Sequence, residues 1–407
     1  MSFLNKKTIV LGVGGGIAVY RVCELARQLM KRGATVRAVM TPNATQFVAP
    51  LTFQALTGQP VLTDLFDLHQ DATFGHLVTG RLADLYIVAP ATADLIARIR
   101  AGFADDAVTT SLLAAHCKVL IAPAMNTAMW ENAQAQENVR ALLKDPRFSM
   151  VGPASGVLAD GDVGAGRLSE PPEIVEAAEA LLAPQDMKGW RVVVTAGPTR
   201  EHLDPVRYLS NPSSGRMGYA VARAAAQRGA EVVLISGPVE LAPPRGVEVI
   251  RVTSAEEMDR ATLPRLEGAR LFVAAAAVAD QRPKERADQK VKKGQVGEAI
   301  ALVPTPDILA RAAAAKPRGE RPFLVGFAAE TERVLEQARE KLRHKDLDLI
   351  AANDVAEEGS GFAVATNRLT LVDRSTKVFE LGLMSKEDAA HALLDRVLEL
   401  QRAPAAR

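Results

Sequence analysis

Cysteine is nearly absent from this sequence: Cys23 and Cys117 are the only two among 407 residues. Two thiols give no disulfide framework, which favours a reducing cytoplasm. Aromatic residues are scarce as well, at 4%. Long apolar runs are lacking. The early "TIVLGV" breaks into glycines, is too short to cross a bilayer, and is not followed by a signal-peptide cleavage pattern. Neither sign of charge is in excess: the formal net charge is +1, so electrostatics gives no case for a nucleic-acid or membrane partner. What remains is much alanine and 48% hydrophobic residues, an ordinary globular profile of a length that allows about two or three domains.

The order of strands and helices is informative. "TIVLGV", "TVRAVM", "LYIVAPA" and "KVLIAPAMN" read as buried strands. "AVYRVCELARQLMKRGA" reads as an amphipathic helix ending at Gly33. Such alternation predicts a parallel, doubly wound α/β sheet with ligands beyond the carboxyl ends of its strands. "SEPPEIVEAAEALLAP" predicts a terminal helix with Ser169 as its cap. The polar stretch "APQDMKG" then breaks the periodicity, and a boundary is expected there, between 1–186 and 187–407. The alternation restarts with "RVVVTAGP" and the helix "GRMGYAVARAAAQRGA". "EVVLISGP", "RLFVAAAAVAD", "FLVGFAAE" and "LDLIAAND" follow as strands, and "VLEQAREKLRHK" as a helix. Both halves share one grammar, a strand, a glycine-bearing loop and a helix ending in "RGA", without a residue-level repeat.

Three stretches of the first half carry chemistry. "GVGGGIA", residues 12–18, joins a strand to a helix. Backbone N–H groups at a helix start bind phosphate, and glycines let it approach. The pattern lacks the Walker lysine and fits the dinucleotide fingerprint poorly, so a plain tight turn is the competing reading. "FGHLVTG" holds His76, a residue type that is more often structural or solvated. "APAMNTAMW" places Asn126 at a strand end, where its amide can bond a ligand carboxylate or cap a turn.

These stretches, with "TPNATQFV" and "GHLVTGRLADLYIVAPATADLIARIRAGFADD", resemble the flavin-dependent cysteine decarboxylases. The second half resembles phosphopantothenate–cysteine ligase through "TAGPTREHLDPVRYLSNPSSGRMGYA", "AAAVADQRP", "KVKKG", "PTPDILA", "VGFAAET" and "LDLIAANDV". The resemblance covers nearly the whole chain, and the fused order is that of the bacterial bifunctional coenzyme A biosynthesis proteins. It implies two doubly wound Rossmann-like domains: a flavodoxin-like, FMN-dependent decarboxylase half (1–186) and a CTP-dependent ligase half (187–407). It implies activation of 4'-phosphopantothenate by CTP as an acyl-cytidylate, displacement of CMP by the amine of cysteine, and a requirement for Mg²⁺. It then implies oxidation of the cysteinyl thiol to a thioaldehyde, loss of carbon dioxide, and reduction of the enethiolate to 4'-phosphopantetheine. A cytoplasmic homo-oligomer is implied too, trimeric through the flavin half and dimeric through the ligase half, giving a dodecamer.

The resemblance also implies roles. His76 matches the active-site histidine, and Asn126 the asparagine that holds the substrate carboxylate. Gly15, Gly16 and Ile17 fall where the flavin phosphate binds, and Thr41, Ala91 and Thr92 match flavin contacts. In the ligase half Asn211 matches the residue acting on the acyl-cytidylate, its amide aimed at the developing oxyanion. Lys290 suits a triphosphate, with Lys292 and Lys293 in reserve. Asp280, Pro306, Asp307, Ile308, Leu309, Phe327, Lys341 and Lys345 match nucleotide-binding positions. Lys341 and Lys345 share a helix face at i, i+4.

"LADGDVGAGRL", residues 158–168, can be read as a phosphate cradle, a metal loop or a moving flap. Its place matches the substrate-covering flap of the decarboxylases, in which a cysteine protonates the enethiolate; here Asp160 stands in that place. Burial would let a carboxyl group donate the proton. Otherwise decarboxylation is expected to stall at the enethiol, or this half to be impaired. A peptidyl-cysteine decarboxylase and a non-catalytic assembly scaffold are the alternative readings of this half.

Overall fold

A computed structural model of the chain describes residues 2–65, 75–159, 161–292, 299–330, 333–354 and 366–402. They form two compact units, Ser2–Ala183 and Pro184–Arg407.

In the first unit β1 (Thr8–Val13), β2 (Thr35–Met40), β3 (Leu85–Ala91), β4 (Lys118–Pro123) and β5 (Phe148–Met150) form a parallel sheet in the order β2-β1-β3-β4-β5. This is the flavodoxin-like order, whose crevice opens where the chain switches sides, at the carboxyl ends of β1 and β3. Every residue of central β3 is buried, which is why its sequence is apolar throughout and does not alternate. The helices are α1 (Val19–Lys31), α2 (Pro50–Thr57), α3 (Gly75–Leu82), α4 (Ala93–Ala101), α5 (Ala107–Leu113), α6 (Thr127–Glu131), α7 (Ala133–Leu142) and α8 (Pro171–Leu182). Leu25, Leu29, Phe53 and Ile174 of α1, α2 and α8 pack on one face of the sheet. Ile96, Val108 and Leu112 of α4 and α5 pack on the other.

Helix α1 buries Val19, Val22, Leu25, Ala26 and Leu29, a single stripe at helical spacing. It stops because Gly33 adopts φ +88°. The Gly33 N–H then donates to Met30 O (2.8 Å) and the Ala34 N–H to Leu29 O (3.2 Å), the paired bonds of a Schellman cap. Helix α8 corrects one expectation. Pro171 is its first residue and Glu170 its cap, the Glu170 N–H donating to Glu173 Oε2 at 3.2 Å. Ser169 is buried one position too early to cap it. Between β5 and α8, β6 (Ala154–Val157) and β7 (Val163–Arg167) make an antiparallel hairpin.

The second unit holds a larger sheet. Its strands are β8 (Arg191–Ala196), β11 (Glu231–Ser236), β12 (Val247–Arg251), β13 (Leu271–Ala274), β16 (Phe323–Glu330), β17 (Leu349–Asp354), β19 (Leu369–Asp373) and β20 (Val378–Glu380). Small two-stranded pairs join β9 (Arg200–His202) to β10 (Tyr208–Ser210), β14 (Gln281–Pro283) to β15 (Leu302–Pro304), and β18 (Thr366–Asn367) to β21 (Met384–Ser385). The order β12-β11-β8-β13-β16-β17 is parallel and of Rossmann type, and β19 and β20 extend it antiparallel. Helices α9 (Arg216–Gln227) and α13 (Lys386–Arg402) cover one face; α10 (Ala255–Thr262), α11 (Ile308–Ala314) and α12 (Val334–His344) cover the other. Helix α9 ends as α1 does: Gly229 has φ +89°, and Gly229 and Ala230 donate to Ala226 O and Ala225 O at 3.0 and 3.1 Å. The "RGA" shared by the two halves is therefore one cap used twice.

Candidate functional site

In the first unit a cavity of about 980 Å³ lies beyond the carboxyl ends of β1, β3 and β4, lined by Gly15, Gly16, Ile17, Thr41, Thr92 and Asn126 among others. The glycines are there for proximity. A Cβ on Gly14 would lie 2.3 Å from Pro90 O, and one on Gly15 would lie 2.3 Å from Asn43 Cβ. Ala18, the cap of α1, makes no side-chain capping bond, so the start of this helix presents backbone N–H groups of the kind that receive an anion. Thr41 is buried and accepts from the Ala44 N–H (3.2 Å), and Thr92 caps α4 by accepting from Leu95 N (3.2 Å). Ala91 does not join the lining: it is fully buried in β3, and its carbonyl accepts from Ala124 N at 3.1 Å. It ties β3 to the end of β4. His76 falls in the first turn of α3, and its side chain lies outside those described.

The cations of this cavity are already paired. Arg21 bonds Glu170 Oε1 at 2.5 Å, Arg167 bonds the same oxygen at 3.2 Å, and Arg98 bonds Asp105 and Asp106 at 2.5 and 3.1 Å. Exposed Ile17, Tyr20 and Met129 add apolar surface. The arrangement suits a broad apolar group whose one anionic end rests on backbone N–H groups.

Asn126 caps α6, its Oδ1 accepting from Ala128 N at 2.7 Å, while Nδ2 donates to Asp162 Oδ2 at 3.2 Å. The β6–β7 hairpin is thereby docked on the residue expected to hold a carboxylate. A second anchor is Gly166, whose carbonyl accepts from Met125 N at 2.9 Å and whose Cβ position would be 2.3 Å from Met125 O. Leu158 and Asp162 close the hairpin, N–H to carbonyl, at 2.8 Å; Asp160 lies outside the described residues. No cysteine joins the described lining. Burial pushes the Cys23 and Cys117 thiols above their ordinary values, so neither is poised as a thiolate.

In the second unit a cavity of about 640 Å³ opens at the carboxyl ends of β8, β13 and β16. It gathers Asn211, Asp280, Pro306, Asp307, Ile308, Leu309, Phe327, Lys341 and Lys345. The expected strand 270–280 ends early, at Ala274, and residues 275–280 become cavity wall. Asn211 donates its Nδ2 to Ala277 O and Val278 O, both at 3.2 Å. At rest its amide thus latches that wall, and donation to an oxyanion requires release of one carbonyl. Lys345 Nζ lies 2.8 Å from Asp307 Oδ2. Burial works to raise the Asp307 pKa, but the bonds from Lys345 and backbone amides outweigh it and hold the carboxyl below the usual range.

Lys290 stands apart from the lining, exposed on the segment after β14. That segment is fastened elsewhere: Arg207 donates to Val291 O (3.1 Å), and Val291 N to the buried Asp204 (3.3 Å). Lys292 is exposed on the same segment, and Lys293 lies outside the described residues. Sequence reasoning missed Arg216, Asn353, Asn367 and Lys386, all of which line this cavity. A signal existed for Lys386, since a lysine opening a helix runs against the helix dipole. Among the described residues no group of three or more His, Cys, Asp or Glu is placed to hold a metal, and no helix is long and apolar enough to cross a membrane.

Residues 2–183 match the Flavoprotein family, and residues 187–400 match the C-terminal domain of the DNA/pantothenate metabolism flavoproteins. The sequence is 48% identical to the coenzyme A biosynthesis bifunctional protein CoaBC of Vibrio cholerae over 98% of this chain and 100% of that protein. The chain belongs to the family of bifunctional coenzyme A biosynthesis proteins. The CoaBC protein of Escherichia coli strain K12 is 47% identical over 98% of each chain. A crystal structure of the C-terminal domain of a CoaBC protein is 38% identical, covering 54% of this chain and 98% of that one, with a TM-score of 0.46. Like its family, the chain is a bifunctional enzyme of coenzyme A biosynthesis, a flavoprotein decarboxylase domain followed by a ligase domain.

Proposed function

We propose that the second unit joins 4'-phosphopantothenate to cysteine at the expense of CTP and that the first unit decarboxylates the product with FMN. The observation that carries the reading is the second cavity. Asn211, Asp280, the Pro306–Leu309 run, Phe327, Lys341 and Lys345 are scattered in sequence, yet all line it.

In the ligase step the substrate carboxylate attacks the α-phosphate of CTP, forming an acyl-cytidylate and releasing pyrophosphate. The cysteine amine then displaces CMP and loses a proton. Phe327 and the Pro306–Leu309 run offer wall and backbone to the base, Asp280 accepts from base or ribose, and Lys341 and Lys345 balance phosphate charge. Mg²⁺, when bound, would supply charge neutralisation at the phosphates; among the described residues no group of three or more His, Cys, Asp or Glu is placed to hold it. Asn211 holds the 277–278 wall and yields one amide hydrogen to the acyl oxygen during transfer. Lys290 comes to the phosphates from its strap.

In the first unit the Gly14–Gly16 turn, Thr41 and Thr92 fit FMN: the glycines let the turn pack closely on Pro90 and Asn43, and the start of α1, which has no side-chain cap, offers backbone N–H groups to a phosphate. The flavin, when bound, supplies the two-electron oxidation of the thiol and returns the electrons in the final reduction. Asn126 binds the substrate carboxylate in exchange for Asp162, which couples substrate entry to movement of the hairpin. His76 assists thiol oxidation. The replacement of the flap cysteine by Asp160 favours a second reading of the last step, a slow reduction that leaks aminoenethiol.

The test of the ligase assignment is pyrophosphate and CMP release from phosphopantothenate and cysteine with either CTP or ATP. CTP-dependent release of both is expected; turnover with ATP and none with CTP would overturn the nucleotide assignment.

A further inference from the structure

Strand β13 ends at Ala274, but the chain after it keeps bonding to the segment that follows β8. The Ala275 N–H donates to Thr195 O at 3.1 Å and the Ala277 N–H to Gly197 O at 2.9 Å. Pro198 and Ala277 form a parallel bridge. A parallel ladder advances by two residues on each side, so the next acceptor in line for the Ala279 N–H is Thr199 O. A side chain takes over instead. Ala279 N donates to Thr199 Oγ1 at 3.1 Å, and Thr199 O accepts from the Ser210 hydroxyl at 2.7 Å. Thr199 is fully buried.

This exchange lets one residue tie together two parts of the ligase cavity. Ser210 precedes Asn211, and Ala279 precedes Asp280. Asn211 and Asp280 line the cavity, and Thr199 stands behind the lining. The tie matters because Asn211 Nδ2 donates to Ala277 O and Val278 O at rest, and a bond to the acyl oxygen must break one of these. A wall held by Asn211 alone would move with that amide. Here Thr199 holds the Ala279 N–H, Thr305 Oγ1 donates to Ala279 O at 2.5 Å, and Thr195 Oγ1 accepts from Ala276 N at 3.4 Å. The wall therefore keeps its place when Asn211 changes partner.

We propose that Thr199 is a positioning residue of the ligase: its hydroxyl fixes the 275–280 wall against the arm that carries Asn211, so that the Asn211 amide turns from wall to acyl oxygen across a gap of constant width. The inference rests on the ligase reading of this cavity and on Asn211 acting in transfer.

The test uses the full-length protein and three variants. Thr199→Val keeps the branched shape and leaves the Ala279 N–H without its acceptor. Thr199→Ser keeps the hydroxyl. Ser210→Ala cuts the other tie at an exposed position. A misplaced group costs up to about 100-fold in rate, and Thr199→Val is expected to slow acyl transfer, read as CMP release, by about 10-fold. Pyrophosphate release in the first turnover should stay at the wild-type rate, so acyl-cytidylate accumulates and mass spectrometry detects it. Thr199→Ser should recover most of the loss. Ser210→Ala should act in the same direction by about 3-fold, the loss of one neutral hydrogen bond. Because Thr199 acts through Asn211, the double variant Thr199→Val/Asn211→Ala should transfer no more slowly than Asn211→Ala alone.

Wild-type transfer in Thr199→Val would overturn the proposal. So would a slowing that adds to that of Asn211→Ala, or a variant that melts lower and loses pyrophosphate and CMP release together, the signature of a structural residue. Should Thr199→Val fail to fold, Ser210→Ala decides alone, and wild-type transfer there counts against the tie. Wild type without CTP-dependent pyrophosphate release would sink the ligase reading and the proposal with it, whereas wild-type turnover combined with any of the contrary results sinks the proposal alone.

Discussion

In the first unit the turn from β1 into α1 is built of glycines. In the second, the chain between β8 and α9 is a long arm that makes the β9–β10 hairpin, carries Asn211 and ends at Arg216. Both arms lead to a helix closed by the same Arg-Gly-Ala cap. The cavities beyond them differ in kind. In the first, Arg21, Arg98 and Arg167 are neutralised by neighbouring carboxylates, and backbone lies close enough to the glycines to exclude a Cβ. In the second, Arg216, Lys341, Lys345 and Lys386 line the cavity together with Asp280 and Asp307, and Lys345 is paired with Asp307. On the proposed reading, one fold grammar serves two tasks: a single phosphate with a large apolar body can rest on backbone N–H groups, whereas a triphosphate calls for side-chain cations.

The comparison breaks most sharply at Gly15. A valine there meets Asn43 within van der Waals distance, and overpacking of this kind costs roughly 1–3 kcal/mol, which predicts an approximately 10- to 100-fold loss of flavin retention. Bound-flavin absorbance checks it, and CTP-dependent ligase activity of the same preparation should be unchanged. A variant that keeps its flavin would show that the turn is not the phosphate cradle.

Next comes Asn211→Ala, which should leave the flavin half untouched. If the amide serves the transferring acyl group, its loss lowers transfer by about 100-fold while activation persists, so acyl-cytidylate accumulates and mass spectrometry detects it. Loss of activation together with transfer would show that Asn211 acts only as the latch on residues 277–278.

Lys290→Gln sharpens the difference within the second unit. A charge-assisted contact to phosphate predicts a fall of about 10-fold in pyrophosphate release, without acyl-cytidylate accumulation. An unchanged rate would leave the strap outside the catalytic cycle.

The smallest effect belongs to the hairpin. A thiol and a carboxyl group differ in water by several pKa units, about 8.5 against 3.9, so an ionised Asp160 neither donates a proton nor tolerates an enethiolate. Asp160→Cys is expected to raise the ratio of 4'-phosphopantetheine to aminoenethiol by about 2- to 3-fold, a barrier change below 1 kcal/mol. If wild type already gives 4'-phosphopantetheine alone at the rate of the variant, the leak is disproved.

Much of this was legible locally. The apolar runs of β1 and β3, the glycine turn and the "RGA" caps are decided within a few residues by burial and φ, and they are where they were expected. Errors arose where local signals compete. Ser169 has the chemistry of a cap, but Pro171 fixes the helix start and leaves the cap to Glu170. The run "RLFVAAAAVAD" is apolar enough for a long strand, yet it leaves the sheet after Ala274 to form cavity wall. Ala91 is the last residue of β3, and a strand buried along its whole length turns its methyl into the core and out of the cavity lining. Strands β19 and β20 are short and pair antiparallel, a tertiary outcome that no period announces. That Arg216 and Lys386 line one cavity was not legible either, since only the packing of α9 against α13 brings the two helix starts together.

The most direct measurement of the central claim, two successive chemistries in one chain, is product identification after incubating the purified protein with phosphopantothenate, cysteine, CTP and Mg²⁺. The account predicts that 4'-phosphopantothenoylcysteine rises first and that 4'-phosphopantetheine follows with release of carbon dioxide, both requiring CTP. Accumulation of 4'-phosphopantothenoylcysteine by a flavin-loaded protein that releases no carbon dioxide would contradict it.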